Sequence, residues 1–170
     1  MELDEVDLRL LELLAENSRT SFAELSRELG IPRTTLIGRV EKLRREGVIK
    51  SFTLDLDFKR LGYKYLAFVL VKARRGMGSA PLPSQVLLAE RIHRGSAERE
   101  DLPWVEESHV ITGEYDILLK IRARKWEDIT KFLIEFLARF EEIEHTNTAL
   151  VLTTVREERR PPAVGGAKRG

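Results

Sequence analysis

The sequence has no cysteine among its 170 residues, which excludes disulfide bonds and thiolate metal sites. Its three histidines (His93, His109 and His145) are scattered and lack the spacing of metal ligands. No apolar run approaches the roughly 18 residues of a membrane span, and the acidic, amphipathic start MELDEVDLRLLELL is not that of a signal peptide. These absences predict a cytoplasmic protein that uses no metal and no cofactor.

The charge that is present is distributed unevenly along the chain. The formal net charge is only +1, although 34% of the residues are charged. Residues 1–32 carry three Arg against eight acids, a net of −5, whereas residues 33–50 carry six Lys or Arg against two acids, a net of +4. The segment from Arg156 onward carries five against two, a net of +3. Local charge of this kind bears on the choice of partner more than the total does.

Helix signals at the N-terminal end predict a helix-turn-helix domain. Asp4 can cap a first helix, and an S-x-x-E capping box that begins at Ser21 starts a second one. Gly30 ends the second helix, and a third runs from about residue 33 to residue 46, before Gly47 stops it. Two short helices joined by a tight turn are the helix-turn-helix arrangement.

The third helix has an apolar side and a polar side. We predict that its buried stripe consists of Leu36, Ile37, Val40 and Leu43. The other positions carry short, flexible or basic side chains: Arg33, Thr34, Thr35, Gly38, Arg39, Lys42, Arg44 and Arg45. Such side chains can reach phosphates and base edges, which makes this helix the candidate DNA-binding element. The alternative is a three-helix bundle whose solvated face is basic.

Gly38 is an unusual residue for the middle of a helix, where it costs roughly 1 kcal/mol relative to alanine. Close approach of the helix to DNA would explain it, and so would close packing or neutral drift.

Beyond the third helix the pattern changes to strands. The alternation of Phe52, Leu54 and Leu56 predicts a strand, either as the wing of a winged helix or as a linker. Further strands are predicted at residues 63–75, 105–112, 115–123 and 143–155, with helices at 84–94 and 126–140. Their order is βαββαβ, which is that of the ferredoxin-like unit.

We therefore predict an α+β protein in four parts. These are a winged helix-turn-helix domain at residues 1–50, a linker strand at 51–62, a ferredoxin-like domain at 63–156 and a disordered basic tail at 157–170. A ferredoxin-like sheet has both helices on one side, and its other face is here predicted to be apolar on strands one, three and four. An exposed apolar face favours dimerisation through the sheet.

The stretch TGEYD, residues 112–116, lies between the second and third of these strands. Gly113 and Glu114 are predicted to form the centre of a tight hairpin turn, because glycine adopts positive φ at little cost. A second interpretation makes the turn a ligand site, since exposed backbone N–H groups can bind a carboxylate and Asp116 could meet an ammonium. From the residues alone, the plain turn is favoured.

The chain resembles the leucine-responsive/asparagine-regulator (Lrp/AsnC) family of transcription regulators. The resemblance is carried by LAENSRTSFAELSRELGIPRTTLIGRVEKLRREGVIKSFTLDLD, by VITGEYDILLKIRA and by IEHTNTALVLTTV, and it covers about residues 2–156. It implies dimers built through the sensing domains, often assembled into octamers, with an amino acid or related metabolite bound between sensing domains. The residues that it implies for the effector are Thr112, Gly113, Glu114, Tyr115, Asp116, Thr146 and Thr148. Residues 76–104 are longer than the family pattern.

An alternative from another class is a siroheme-type tetrapyrrole decarboxylase, because some of those enzymes resemble the same two-domain architecture. His109 lies near where such enzymes place an active-site histidine, which could act as a proton donor. However, the chain reads IKSFTLDLD where those enzymes are expected to have an Arg-Arg-Ile-Gly run. A regulator that is not an enzyme is the better prediction.

Overall fold

The computed structural model describes residues 2–74 and 84–157. Residues 158–170, which are most of the predicted disordered tail, and residues 76–83 of the long segment lie outside this range. Contacts within the chain divide the described residues into two compact units, one up to Asp55 and one from Leu56 to Val155. None of the helices in the described ranges has the length and apolar character that a bilayer crossing requires.

The N-terminal unit consists of three helices, α1 (Glu5–Glu16), α2 (Phe22–Leu29) and α3 (Arg33–Arg45). Its core is formed by one apolar stripe from each helix: Leu10, Leu13, Leu14, Leu25, Leu36, Val40 and Leu43. The predicted helix-turn-helix is therefore confirmed.

The predicted helix boundaries of this unit are also confirmed. Asp4 accepts a hydrogen bond from Asp7 N at 2.8 Å, and Ser21 Oγ accepts one from Glu24 N at 3.2 Å, so that both helices begin with a capping box. Gly30 ends α2 with a φ of 67°, in the left-handed region that glycine favours.

The prediction that Ile37 belongs to the buried stripe of α3 is wrong. Its side chain is 39% exposed. Leu36, Val40 and Leu43 follow the i, i+4, i+7 spacing of a single helix face. Ile37 is one residue, or about 100°, further round the helix, so it points away from the core.

The predicted linker strand is wrong for the described chain, since residues 51–62 form no strand. A strand requires a hydrogen-bonding neighbour, and Leu54 is instead 70% exposed. Residues 57–62 form a turn at the start of the C-terminal unit, and this turn packs Phe58 against Trp104 and Arg122. The ring of Phe58 lies 5.4 Å from the ring of Trp104, and the Arg122 guanidinium carbon lies 4.5 Å from the Phe58 ring centre.

The C-terminal unit has the predicted βαββαβ order. Its strands are β1 (Tyr65–Ala73), β2 (Trp104–Val110), β3 (Ile117–Ala123) and β4 (Ile143–Leu150). They form one antiparallel sheet in the order β2-β3-β1-β4, which confirms the ferredoxin-like fold. The helix α4 (Ser84–Ala97) is longer than predicted.

The second helix of this unit, α5 (Trp126–Lys131), continues as a π-helical turn (Phe132–Phe136) and a short 3₁₀ turn (Leu137–Arg139). The wider π turn changes which side chains face the sheet. Phe132, which the pattern did not single out, is fully buried, whereas Leu133 and Phe140 are only partly buried against the core.

The sheet has one face covered by helices and one open face. Alternation and register place the buried Val69 and Val71 of β1 on the helix face, and Leu66, Phe68 and Leu70 on the open face. The neighbouring strands are less apolar there than we had predicted. The residues opposite the β1 stripe are Leu118, Lys120 and Arg122 on β3 and His145, Asn147 and Ala149 on β4. The apolar part of the open face is thus a narrow stripe centred on β1.

Candidate DNA-binding helix and effector loop

The polar face of α3 is exposed and carries several side chains that have no partner. The side chains of Arg33, Thr34, Thr35, Lys42 and Arg44 are exposed and form no hydrogen bond or ion pair within the described residues. Arg45 makes only a long contact, 4.0 Å to Glu46, and is 73% exposed. This part of the predicted site is therefore available to an external ligand.

Two features of the α3 backbone add to this availability. The residue before the helix is Pro32, and none of the described side chains caps the first turn. The first N–H groups of a helix are the ones that bind phosphate. At Gly38, an added Cβ would meet no atom of the described residues within 4 Å. Close packing within the N-terminal unit therefore does not account for this glycine.

Arg39 differs from the other predicted DNA contacts because it is already bonded. Its Nη1 atom donates to Asp4 Oδ2 at 2.6 Å and to Asp7 Oδ1 at 2.7 Å. The Arg39 guanidinium, with the Asp7 backbone, holds the pKa of the Asp4 carboxyl below its ordinary value. The sequence had not indicated these partners, although the net charges of −5 and +4 on adjoining segments were a signal that such pairs could form.

The TGEYD stretch forms a longer loop than the two-residue turn we had predicted. Val110 and Ile117 are paired across β2 and β3, so the loop comprises the six residues 111–116. The expected positive φ is found at Gly113, where φ is 118°. Thr112, Gly113 and Glu114 are exposed at the tip.

Asp116 holds this loop against the end of β1. Its Oδ2 atom accepts a hydrogen bond from Ala73 N at 2.9 Å and lies 3.3 Å from Lys72 Nζ. Its backbone N–H donates to Val71 O at 3.0 Å. The carboxylate that we had considered as a partner for an ammonium thus has a structural role in the described chain.

The two predicted threonines lie beside this loop on β4, but on a different face from its tyrosine. Thr146 and Thr148 are opposite Val71 and Val69, and therefore share the helix face with them. Tyr115 contacts His145, with ring centres 5.6 Å apart, and His145 is opposite Lys72 on the open face. Within one chain, the predicted effector residues are neighbours without forming a single pocket.

His109 lies on the open face, where it belongs to a group of ion pairs. Its Nε2 atom is 3.1 Å from Glu107 Oε2, and Lys120 Nζ is 3.2 Å from Glu107 Oε1 and 3.4 Å from Glu106 Oε1. His109, followed by Lys120, lowers the pKa of the Glu107 carboxyl. The pairs place charged groups beside the apolar stripe of β1.

Two surface grooves that the sequence did not indicate lie on the C-terminal unit. One, of about 770 Å³, runs between α4 and β2 and includes His93, Arg94 and Ser108. The other, of about 970 Å³, includes Arg99, Asp101 and Lys131. Neither is lined by residues 111–116.

Comparison with known families matches both halves of the chain. Residues 3–50 match the family model described as winged helix-turn-helix DNA-binding, and residues 87–161 match that of the Lrp/AsnC ligand binding domain.

Similar proteins are found along nearly the whole length. An HTH-type transcriptional regulator of Pyrococcus horikoshii, PH1916, described as uncharacterized, is 39% identical over 156 residues, which are 92% of this chain and 97% of the relative. The HTH-type transcriptional regulator FL11 of the same organism is 32% identical over 160 residues, which are 94% of this chain and 96% of the relative.

Solved structures have the same architecture. AsnC of E. coli is 28% identical with a TM-score of 0.74, and the match covers 93% of this chain and 97% of AsnC. The transcriptional regulator NMB0573 of Neisseria meningitidis, solved as an L-Met complex, is 21% identical with a TM-score of 0.76 over 95% of this chain and 97% of the neighbour. At that identity, the second match shows the fold alone.

Proposed function

Because the chain belongs to the Lrp/AsnC family of DNA-binding transcription regulators, we propose that the exposed face of α3 reads DNA and that the loop 111–116 belongs to an effector site between sensing units. The family consists of regulators and not of enzymes, so the decarboxylase alternative is set aside. A regulator works where its DNA is, and we infer a cytoplasmic location on that ground.

The observation that carries the DNA proposal is the exposed, unpaired face of α3. Arg33, Thr34 and Thr35 lie on its first turn and Lys42 two turns later, all exposed, while the opposite stripe is buried. The first residues of a recognition helix contact base edges, and later cations contact phosphate. We therefore assign base reading to the first turn, close approach of the helix to DNA to Gly38, and phosphate contact to Lys42, Arg44 and Arg45.

Binding to duplexes selected by the protein from a random pool tests this assignment. Replacing Arg33 by Ala should cost about 1–3 kcal/mol on the selected sequence if it reads a base, and relax the preference at one position. Replacing Lys42 by Met should weaken binding to all sequences and reduce the salt slope by about 1 for each bound copy of α3. If both variants bind the selected duplex as the wild type does, α3 is not the reading surface.

We further propose that two copies pair through the open sheet face. The stripe of Leu66, Phe68 and Leu70 is half-buried in the single chain, and a second sheet would cover it. A two-fold pair would present two copies of α3 to half-sites separated by one helical turn of DNA or a multiple of it. Higher assembly, such as an octamer, would join these pairs.

The effector proposal keeps the loop and revises one role. Asp116 is tied to Lys72 and to the backbone of Ala73, whereas Glu114 is exposed and forms no ion pair within the described residues. We assign the ammonium of an amino acid to Glu114, its carboxylate to the N–H groups around Thr112 and Gly113, and hydroxyl contacts to Thr146 and Thr148 of a neighbouring copy. Tyr115, packed on His145, would support the loop.

Calorimetry with the twenty amino acids tests the effector site. L-methionine comes first, because a regulator of the same fold was solved with it. Affinity in the micromolar to millimolar range corresponds to about −8 to −4 kcal/mol. The variant Glu114→Gln should lose binding and Glu127→Gln, a distant exposed acid, should keep it; equal binding by Glu114→Gln would place the ligand elsewhere.

A further inference from the structure

Arg39 joins the third helix to the first turn of α1. Both of its acceptors, Asp4 Oδ2 at 2.6 Å and Asp7 Oδ1 at 2.7 Å, lie at that turn. Short hydrogen bonds between a guanidinium and carboxylates are among the stronger polar contacts in proteins. The partners are 35 and 32 residues away in the sequence. The contact therefore joins α3 to α1 and is not a local contact within one helix.

The three side chains form one cluster with the α1 cap. The side chain of Asp7 is only 7% exposed, against 28% for Arg39 and 53% for Asp4. A nearly buried carboxylate requires a compensating charge, because its desolvation is costly. Asp4 and Asp7 also form the capping box of α1. Arg39 thus compensates the same two acids that begin the first helix.

Both bonds are made by Nη1, so a contact between this nitrogen and DNA would require Arg39 to leave the cluster. It would exchange two short bonds for a new one and would leave Asp7 buried without a countercharge. It would also leave two uncompensated acids on the domain that approaches a polyanion. Lys42 and Arg44 face no such exchange, because they have no partner among the described residues.

We infer that Arg39 is a positioning residue, which fixes the orientation of α3 through Asp4 and Asp7 and does not itself contact DNA. The inference rests on the proposed function, in which α3 reads DNA. It gives the acidic start of α1 a role in DNA binding, although those carboxylates have the wrong charge to contact phosphate.

The two possible roles of Arg39 predict opposite effects of removing the acids. If Arg39 contacted DNA, replacing Asp4 and Asp7 by Asn would free it and remove negative charge, so affinity would rise. If Arg39 positions α3, the same replacement loosens the helix and specific affinity falls. Asparagine caps a helix about as well as aspartate does, so Asp4→Asn keeps the start of α1.

The experiment measures affinity for two duplexes of about 30 base pairs over a range of salt concentrations. One is selected by the wild type from a random pool and the other is unselected, and both are long enough for half-sites one turn apart. Asp4→Asn/Asp7→Asn and Arg39→Met should each weaken binding to the selected duplex about tenfold, which corresponds to 1.4 kcal/mol. The salt slope should stay that of the wild type, because no phosphate contact is lost. The variant that combines Asp4→Asn, Asp7→Asn and Arg39→Met should bind no more weakly than the double Asn variant or Arg39→Met, because all three variants lose the same interaction. Arg39→Lys, which keeps a cation, should restore part of the affinity.

Two controls separate the possible failures. Arg9→Met removes an arginine of α1 that is bonded to Glu12 and Glu28 and should leave affinity and salt slope unchanged. Lys42→Met should reduce the slope. If Lys42→Met does not reduce the salt slope, the proposal that α3 binds DNA is wrong. If Lys42→Met does reduce it, but the Asn variants bind more tightly or Arg39→Met also reduces the slope, only the proposed role of Arg39 is wrong. Should the double Asn variant fail to fold, Asp4→Asn alone decides, by whether its affinity for the selected duplex rises or falls relative to its affinity for the unselected duplex.

Discussion

Asp116 accepts a hydrogen bond from the backbone of Ala73, with 2.9 Å between its Oδ2 atom and Ala73 N, and thereby closes the loop after β2 onto the end of β1. Replacing Asp116 by Ala should destabilise the C-terminal unit by about 1–3 kcal/mol, because a part-buried N–H group loses its acceptor. Urea unfolding measures this. Glu114→Ala, two residues away on the exposed tip, should leave the midpoint unchanged. A loss of amino-acid binding in Asp116→Ala without any loss of stability would show that Asp116 serves the ligand and not the loop.

Gly38→Ala should have opposite effects on stability and on DNA binding. Alanine in mid-helix is favoured by about 1 kcal/mol, and within the part of the chain that the structure describes the new Cβ meets no atom within 4 Å. The melting temperature should therefore rise. Affinity for the selected duplex should fall, because the methyl group separates the helix from DNA. A variant that is more stable and binds equally well would indicate that the glycine reflects drift.

Phe68→Glu should prevent pairing of two copies, because Phe68 lies at the centre of the apolar stripe on the open face. Light scattering at micromolar concentration should give the mass of one chain for the variant and of two or more for the wild type. Ile134→Glu is the matched control, since Ile134 is an apolar residue of the same unit that is already 68% exposed. A wild type of single-chain mass would contradict the proposed dimer.

Asp101 should titrate well below an ordinary aspartate. Hydrogen bonds from Arg99, and then from Lys131, lower its pKa from 3.8 to about 2. Because the folded pKa is the lower one, the resulting stabilisation is complete above pH 3.8 and is lost as the pH falls through about 2. NMR titration of the carboxyl carbon measures the midpoint, which should move back towards 3.8 in Arg99→Gln. An unchanged midpoint in that variant would exclude Arg99 as the cause.

Local signals predicted the N-terminal unit well. The capping boxes at Asp4 and Ser21 and the positive φ of Gly30 depend on residues within one helix turn, so the sequence contains them directly. The exposure of Ile37 was missed because a stripe of four apolar residues is wider than the contact surface that two short helices offer.

Contacts between distant segments could not be predicted in the same way. The sequence shows that Arg39 and Asp116 are charged, but their partners are 32 or more residues away and depend on how the elements pack. The π turn that follows α5 likewise arises from packing, and it buries Phe132, which the sequence pattern did not single out. The expected strand at residues 51–62 needs a hydrogen-bonding neighbour, and the described part of the chain supplies none.

The packing of Phe58 against Trp104 and Arg122 marks the end of the stretch without regular structure that follows α3. The part without regular structure between Lys50 and Asp57 is eight residues long, and at roughly 3.3–3.6 Å per residue it can span at most about 29 Å. In the proposed dimer, once one copy of α3 is bound to DNA, the length of this stretch would limit the volume that the other copy can search. The second binding event then takes place at an effective concentration that is determined by linker length. Inserting or deleting residues here would change cooperativity between half-sites without altering any contact to DNA.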